Sequence, residues 1–311
     1  MGAAPRLSPS QLTQFARDGV LILRGVLDPE LCRAARERLW DCAPPQGRVR
    51  RDRPSSWVGP WREEEEEYMV TGSRLEGPRG KAVRAGFNWQ VRHLASEELL
   101  LDLVPRAVMP VAEQLMGAGT VAEPKGTRGF YCYLPRPPSV PRGNDAAGAH
   151  VDGWVNRVRL EAIGYFDDVP PGGGGFQCWP GTHLLCNDLT VVQPPAGVAA
   201  GPSGNLRPGA REFIDELARS HRKMDCHGKA GDVVLWHAKL LHCAGQNWSQ
   251  QIRCAVLCNY SKTKAAVPED REFLGQENWV CAQLLIVRLW YTSHQFPSCR
   301  NIRMFIVGTR R

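Results

Sequence analysis

His150-Val151-Asp152, with His242 ninety residues beyond and Arg253 eleven beyond that, is the feature that most narrows what this chain can fold into. Residues two apart on an extended segment leave the same face, so one short element supplies two neighbouring ligands. The third must be brought to the same point from a distant stretch. Two imidazoles and one carboxylate form the donor set that holds non-haem Fe(II) on one face and leaves the opposite face open. A chance His-x-Asp is common; the order His-x-Asp, distal His, then Arg in the next strand-like segment is far more specific. His242 stands at the start of the turn after the next-to-last strand pattern, and Arg253 just inside the last. Cys243 to Gln251 between them reads as a hairpin turn that carries the arginine close to the distal histidine. A buried guanidinium needs an anionic partner, and its planar fork suits a carboxylate. The pattern therefore points to an oxygenase that binds an acid co-substrate beside its iron.

The rest of the chain is organised in two parts. Ser8-Pro9-Ser10 opens a helix through Gln11 to Asp18, capped by Ser8 or Ser10 and ended by Gly19. Val20 to Leu23 reads as a short buried strand, and Pro29 to Trp40 as an amphipathic helix with Leu31, Ala34, Ala35, Leu39 and Trp40 on its apolar face. From Ala43 to about Arg84 the segment is rich in Pro, Gly, Arg and Glu, and Glu63 to Glu67 is a like-charge block of the surface-loop type. Leu94 to Met116 is helix-like, interrupted by Pro105 and Pro110. After Gly126 the period changes to strands: Phe130 to Leu134, Val155 to Phe166, Asp232 to Trp236 and Ile252 to Tyr260. Gly and Pro clusters separate them. The densest, Pro170 to Gly175, lacks the Gly-Lys-Ser/Thr ending of a phosphate cradle and reads as a tight β turn. Short strands between turn signals indicate an antiparallel sandwich or barrel, with the N-terminal helices on one outer face: one α+β domain over residues 1–311. Its parts are a helical portion to about 120, a strand-rich core over about 125–265 and a tail over about 280–311.

Composition excludes several alternatives. A chain of 311 residues with 43% hydrophobic and 23% charged content can build one sizeable core and does not match the disordered class. No run of about 18 apolar residues is present, so no membrane span is expected. The opening MGAAPRLSPSQL has no signal-peptide apolar segment, and Arg6 replaces the Ser or Thr of a myristoylation site. The eleven cysteines form no C-x-x-C pair, which favours reduced buried thiols over a disulfide framework, and Cys226-His227 with Cys254 and Cys258 lacks zinc-site spacing. The net charge of +7 gathers at Arg48, Arg50, Arg51 and Arg53 and at Arg300, Arg303, Arg310 and Arg311. No aromatic-interleaved basic helix or nucleic-acid motif accompanies it, so nucleic acid is not expected as a partner.

Three segments in order resemble the phytanoyl-CoA dioxygenase family of Fe(II)/2-oxoglutarate oxygenases. LSPSQLTQFARDGVLILRGVLDPELC is similar to the family's opening helix-strand-helix, GAHVDGW and GGFQCWPGTHL to its ligand triplet and Pro-Gly-Thr-His turn, and GDVVLWHAKLLHCAGQNWSQQIRCAVLCNY to its distal-histidine segment. The resemblance implies a double-stranded β-helix, a jelly-roll or cupin-like barrel of two antiparallel sheets with N-terminal helices packed on one face. It implies iron ligands His150, Asp152 and His242, and Arg253 holding the distal carboxylate of 2-oxoglutarate. With O2 as second co-substrate, the implied reaction hydroxylates an unactivated C–H of a small or lipid-like organic substrate while 2-oxoglutarate becomes succinate and CO2. No residue here reads out a CoA moiety, so the resemblance implies a reaction class rather than a substrate. It departs from the family at Ile163, where an aromatic residue is common, and beyond Trp279. A cytoplasmic location is expected. Family analogy also admits a peroxisomal one, although the chain ends in Gly-Thr-Arg-Arg and not Ser-Lys-Leu.

Competing readings stand beside these. His237, five residues before His242, is the main rival ligand, but only His242 sets Arg253 at the matching distance, which leaves His237 a supporting or structural role. His183 reads as a turn hydrogen-bonder, and Lys239 as an exposed cation. Tyr131 and Tyr133 precede the triplet on a strand, where one can hydrogen-bond the co-substrate or both can serve packing. Trp154 reads as either substrate mouth or surface loop. A catalytically inactive member that keeps the barrel as a binding protein, and a non-enzymatic module using its basic loops for anionic partners, are the alternatives to an active oxygenase.

Overall fold

Alternation along the strands decides the architecture, because each strand has one face toward helices and the other toward a second sheet. The computed structural model describes residues 5–44, 47–62, 86–143, 148–152, 158–186 and 209–263. The chain begins with α1 (Pro9–Asp18), whose N-cap is Ser8 in a capping box with Gln11 and whose end is Gly19 at φ 71°. Next come β1 (Val20–Leu23) and α2 (Pro29–Trp40), the latter capped by Asp28. After β2 (Asn88–Val91), a strand not anticipated from the sequence, α3 (Glu98–Leu101) runs through a π-helical turn, Asp102–Arg106, into α4 (Ala107–Met116). Pro105 has no N–H to continue an α ladder, so the expected break is realised as a π turn. The Tyr260 hydroxyl donates to the Pro105 carbonyl across 2.9 Å.

The remaining elements are β3 (Phe130–Tyr133), β4 (Val158–Tyr165), β5 (Phe176–Cys178), α5 (Ala210–Ser220), β6 (Met224–Cys226), β7 (Val233–His237), β8 (His242–Ala244) and β9 (Ala255–Ser261). They form a six-stranded sheet in the order β1-β7-β4-β9-β3-β2 and a three-stranded sheet in the order β6-β5-β8. Every strand pair is antiparallel. Leu21, Leu23, Val233, Leu235, Leu160, Ala162, Val256 and Cys258 pack outward against α1, α2 and the α3–α4 helix. Their neighbours Val20, Val234, Trp236, Ile163, Tyr165, Ala255 and Leu257 point inward and meet Phe176, Cys178 and Cys226 of the smaller sheet. α5 closes the outer side of that smaller sheet with Ile214 and Leu217. Two antiparallel sheets facing one another with helices on the larger one make the double-stranded β-helix and α+β class expected from sequence.

Two glycines permit close approaches. Gly164 lies under the helices, where a Cβ would stand 2.6 Å from Val104. Gly129 adopts φ 71°, and a Cβ there would lie 2.0 Å from the Val91 carbonyl oxygen, so β3 can meet β2 only with glycine at this turn. The Pro170 to Gly175 cluster forms the expected tight turn: Gly173 donates to the Pro170 carbonyl (2.8 Å), and Gly172 and Gly174 take positive φ. The described cysteines are all free, as expected for reduced buried thiols. Among the described residues no helix is long and apolar enough to cross a membrane. The Glu63 to Glu67 block, Trp154 and the tail after Trp279 lie outside the described residues.

One local expectation fails. Residues 243–251 do not form a hairpin within one sheet. His242 begins β8 and pairs with Cys178 in the smaller sheet, whereas Arg253 pairs with Tyr133 beside the larger one. The loop is a crossover between sheets. Asn247 supports it by donating to the Tyr133 and Gln251 carbonyls (3.0 and 2.7 Å). Sequence spacing alone does not distinguish a hairpin from a crossover of equal length.

Candidate metal centre

The smaller sheet builds the ligand group by strand pairing. His150 and His242 exchange both backbone hydrogen bonds at 2.9 Å, and the Asp152 N–H donates to the Ala238 carbonyl at 2.9 Å. The 148–152 segment thus lies against β8. Ala149 and Val151 turn outward into the cluster under α5, which sends His150 and Asp152 inward together. On β8 the same alternation buries Cys243 outward and aims His242 inward. Phe176 stacks on the His242 ring (centroids 5.1 Å, interplanar 17°), and Trp236 packs at 5.4 Å.

The side-chain atoms converge. His242 Nε2 lies 2.9 Å from Asp152 Oδ2, and His150 Nε2 lies 3.7 Å from Asp152 Oδ1. One ligand atom from each residue fits within 4.8 Å of the others, a group able to hold a metal ion. Both imidazoles are oriented by backbone: His150 Nδ1 sits 2.8 Å from the Gly148 carbonyl and His242 Nδ1 2.9 Å from the Leu240 carbonyl. A carbonyl only accepts, so each Nδ1 carries the proton and each Nε2 keeps its lone pair for the centre. This donor set, two nitrogens and a carboxylate whose ligand atoms converge, fits ferrous iron.

Electrostatics favour the ligating protonation states. Burial and the neighbouring His242 hold the His150 imidazole below its ordinary range, which keeps it neutral. Burial pushes the Asp152 carboxyl up, but His242, His150 and Arg128 together outweigh it and hold the group well below the usual carboxylate range. Glu161, 1% exposed, behaves oppositely: burial and the neighbouring Asp152 charge raise it well above that range. The pair divides its roles, Asp152 ionised and Glu161 neutral.

Arg253 is 2% exposed. Its Nε donates to the Gly174 carbonyl (3.0 Å) and its Nη1 to the Tyr131 carbonyl (2.6 Å). Its Cζ lies 4.5 Å from the Tyr133 ring centroid and 5.6 Å from that of Tyr131. Nη2 has no hydrogen-bond partner among the described residues. Gly174 precedes Phe176 by two residues, so β5 links this guanidinium to the ring stacked on His242. Both tyrosines therefore pack on the arginine, with half-buried side chains.

The rivals go elsewhere. His237 turns to the outer side, where its Nδ1 accepts from the Lys239 N–H (2.9 Å) and its ring lies 5.2 Å from His183. His183 is buried against Gly19, and desolvation pulls its imidazole down to about 4. Lys239 is buried at 5% exposure, contrary to the exposed position expected for it. Sequence reasoning missed Arg128, Glu161 and Asn259. Glu161 Oε2 lies 3.4 Å from Arg128 Nη2, and the Asn259 amide donates to that carboxyl oxygen at 3.1 Å while accepting from Arg128 at 3.3 Å. A readable signal existed: Glu161 occupies an inward position in the otherwise apolar stretch LEAIGYF.

Residues 15–255 match the family model described as phytanoyl-CoA dioxygenase (PhyH). Solved structures similar to this chain include the epimerase SnoN in complex with Fe3+, alpha ketoglutarate and nogalamycin RO, at 18% identity over 82% of this chain and 84% of that one (TM-score 0.48). EctD from S. alaskensis with bound Fe is 17% identical over 86% of this chain and 83% of its own (TM-score 0.43). EvdO2 from Micromonospora carbonacea var. aurantiaca is 16% identical over 88% and 99% respectively (TM-score 0.48). No curated protein matches the chain.

Proposed function

The chain belongs to the phytanoyl-CoA dioxygenase family, and on that premise we propose that it is an Fe(II)/2-oxoglutarate-dependent dioxygenase that hydroxylates an unactivated C–H of a small or lipid-like organic substrate. The observation that carries this reading is the convergence of His150, Asp152 and His242 with both Nδ1 atoms tied to backbone carbonyls. His150 Nε2, Asp152 and His242 Nε2 hold the iron, which supplies oxygen activation coupled to oxidative decarboxylation. The balanced reaction takes one substrate C–H, O2 and 2-oxoglutarate to the alcohol, succinate and CO2.

The protein's contribution is placement and exclusion of water. Arg253 Nη2 grips the distal carboxylate of 2-oxoglutarate, with Nε and Nη1 already fixed by Gly174 and Tyr131 so that little freedom is lost on binding. Tyr131 and Tyr133 wall this end. Phe176 and Trp236 keep the His242 ring in place and dry.

Anaerobically purified protein given Fe(II), 2-oxoglutarate and O2 is expected to release succinate. His150→Ala, Asp152→Ala and His242→Ala should each abolish that release. With 18O2, one labelled atom should enter succinate and, once a substrate is found, the other the new hydroxyl. Metal uptake without any decarboxylation overturns the reading in favour of an inactive member that keeps the barrel and its metal.

A further inference from the structure

A second guanidinium faces the metal group, and the reaction above does not use it. Arg128 stands just before β3, anchored by its backbone N–H to the Leu257 carbonyl (2.7 Å). Its side chain reaches across β9 on the inner face toward Glu161 and Asn259, which are direct partners in the β4–β9 register. The contacts there, 3.4 Å to Glu161 Oε2 and 3.3 Å to the Asn259 amide oxygen, both fall on Nη2. Both exceed the roughly 2.7–2.9 Å of a strong charge-assisted bond. Nε and Nη1 have no hydrogen-bond partner among the described residues.

The surroundings place this group on the inner face. Glu161 is 1% exposed at its side chain, whereas Arg128 keeps 42%. Yet Arg128 interacts electrostatically with Asp152 and Tyr131, both inner-face groups. The charged head is thus part-exposed yet set beside the metal-group carboxylate, a buried acid and an inner tyrosine. Arg253 sits at the other end of β9, about 20 Å of strand from the Asn259 position. Tyr131 stands between the two arginines, with its ring 5.6 Å from Arg253 Cζ. The co-substrate has its anchor in Arg253; Arg128 offers an unused fork of N–H donors to another molecule.

We propose that Arg128 binds a carboxylate of the primary substrate and makes this oxygenase selective for acid-bearing substrates. This deepens the reading above and rests on it. The planar fork accepts a carboxylate side-on, which sets the substrate's acid end at the Glu161–Asn259 side and turns the rest of the molecule toward the centre.

The test uses the full chain saturated with Mn(II) and 2-oxoglutarate under nitrogen, titrated calorimetrically with hexanoate and hexanamide, and with benzoate and benzamide. The acids are expected to bind wild type at least about tenfold more tightly than their amides, since only the anion gains the charge-assisted fork. Arg128→Met should erase that gap and Arg128→Lys should keep part of it. Equal binding of acid and amide, no binding of either, or a gap that survives in Arg128→Met overturns the proposal. So does a gap seen without 2-oxoglutarate that vanishes on saturation, because Arg128 would then serve the co-substrate. Should the methionine variant not fold, the lysine variant and the wild-type comparison decide. Failure of the oxygenase reading looks different: wild type then takes up no Mn(II) or no 2-oxoglutarate before any acid is added.

Discussion

Replacing Arg253 tests structure and chemistry together, because its three nitrogens have separate duties. Nε and Nη1 satisfy the Gly174 and Tyr131 carbonyls, and Nη2 is the donor that the proposed function assigns to the co-substrate. In Arg253→Met both carbonyls lose their donor in a site 2% exposed. Each unpaired buried acceptor costs about 1–3 kcal/mol. Stacking over Tyr133 at 4.5 Å adds about 0.5–2 kcal/mol. The variant should therefore lose about 2.5–8 kcal/mol of unfolding free energy, measured by urea denaturation with unchanged slope. Loss of a buried charge pair to the distal carboxylate costs about 2–5 kcal/mol more in binding, or roughly thirtyfold and upward in the 2-oxoglutarate Kd. Arg253→Lys separates the two effects. It keeps a charge but not the fork, so it should recover part of the 2-oxoglutarate affinity while leaving at least one carbonyl unpaired. Calorimetric titration of Mn(II)-loaded protein under nitrogen measures the affinities. If Arg253→Met binds 2-oxoglutarate within about threefold of wild type, the reasoning is wrong and the co-substrate acid lies elsewhere.

Other outcomes follow from single positions. Gly129→Ala places a Cβ 2.0 Å from the Val91 carbonyl oxygen at φ 71°; beyond the roughly 1–2 kcal/mol of left-handed strain, the β2–β3 pairing must shift, and the melting temperature should fall by many degrees. His237→Gln should keep full Mn(II) stoichiometry, because His237 faces the Lys239 N–H and not the centre, whereas His242→Gln should lower Mn(II) affinity strongly by equilibrium dialysis. His183 folds neutral with an imidazole pulled from 6.5 down to about 4 by burial. Its proton is taken up preferentially by the unfolded chain, so its stability contribution is complete above about 6.5 and drains away toward about 4. That contribution amounts to roughly 3 kcal/mol. His183→Asn should flatten unfolding free energy against pH across that window; an unchanged slope would refute the assignment.

The candidate metal group was legible because its geometry is local: two residues on one strand face need no tertiary knowledge, and alternation alone sends His150 and Asp152 inward with Val151 outward. Strand-rich and helical portions were legible for the same reason, since periods of 2 and 3.6 are written into neighbouring residues, and Ser8 and Gly19 carry the caps of α1 in their own chemistry. β2 was not, because Asn88–Val91 is too short to show a period and is defined by its register with β3.

What the tertiary structure alone decided concerns pairing between distant segments. Which sheet each end of residues 243–251 joins, that His237 faces outward and that Lys239 is buried depend on which strands face one another, a choice settled by the total burial of two apolar faces rather than by any local pattern. The same holds for Arg128, Glu161 and Asn259, three polar residues from separate stretches. Only the β4–β9 register places Glu161 opposite Asn259, and only the facing of the two sheets brings Glu161 near Asp152. Sequence records which side chains carry charge; the fold sets the distances and the burial that decide what the charge does.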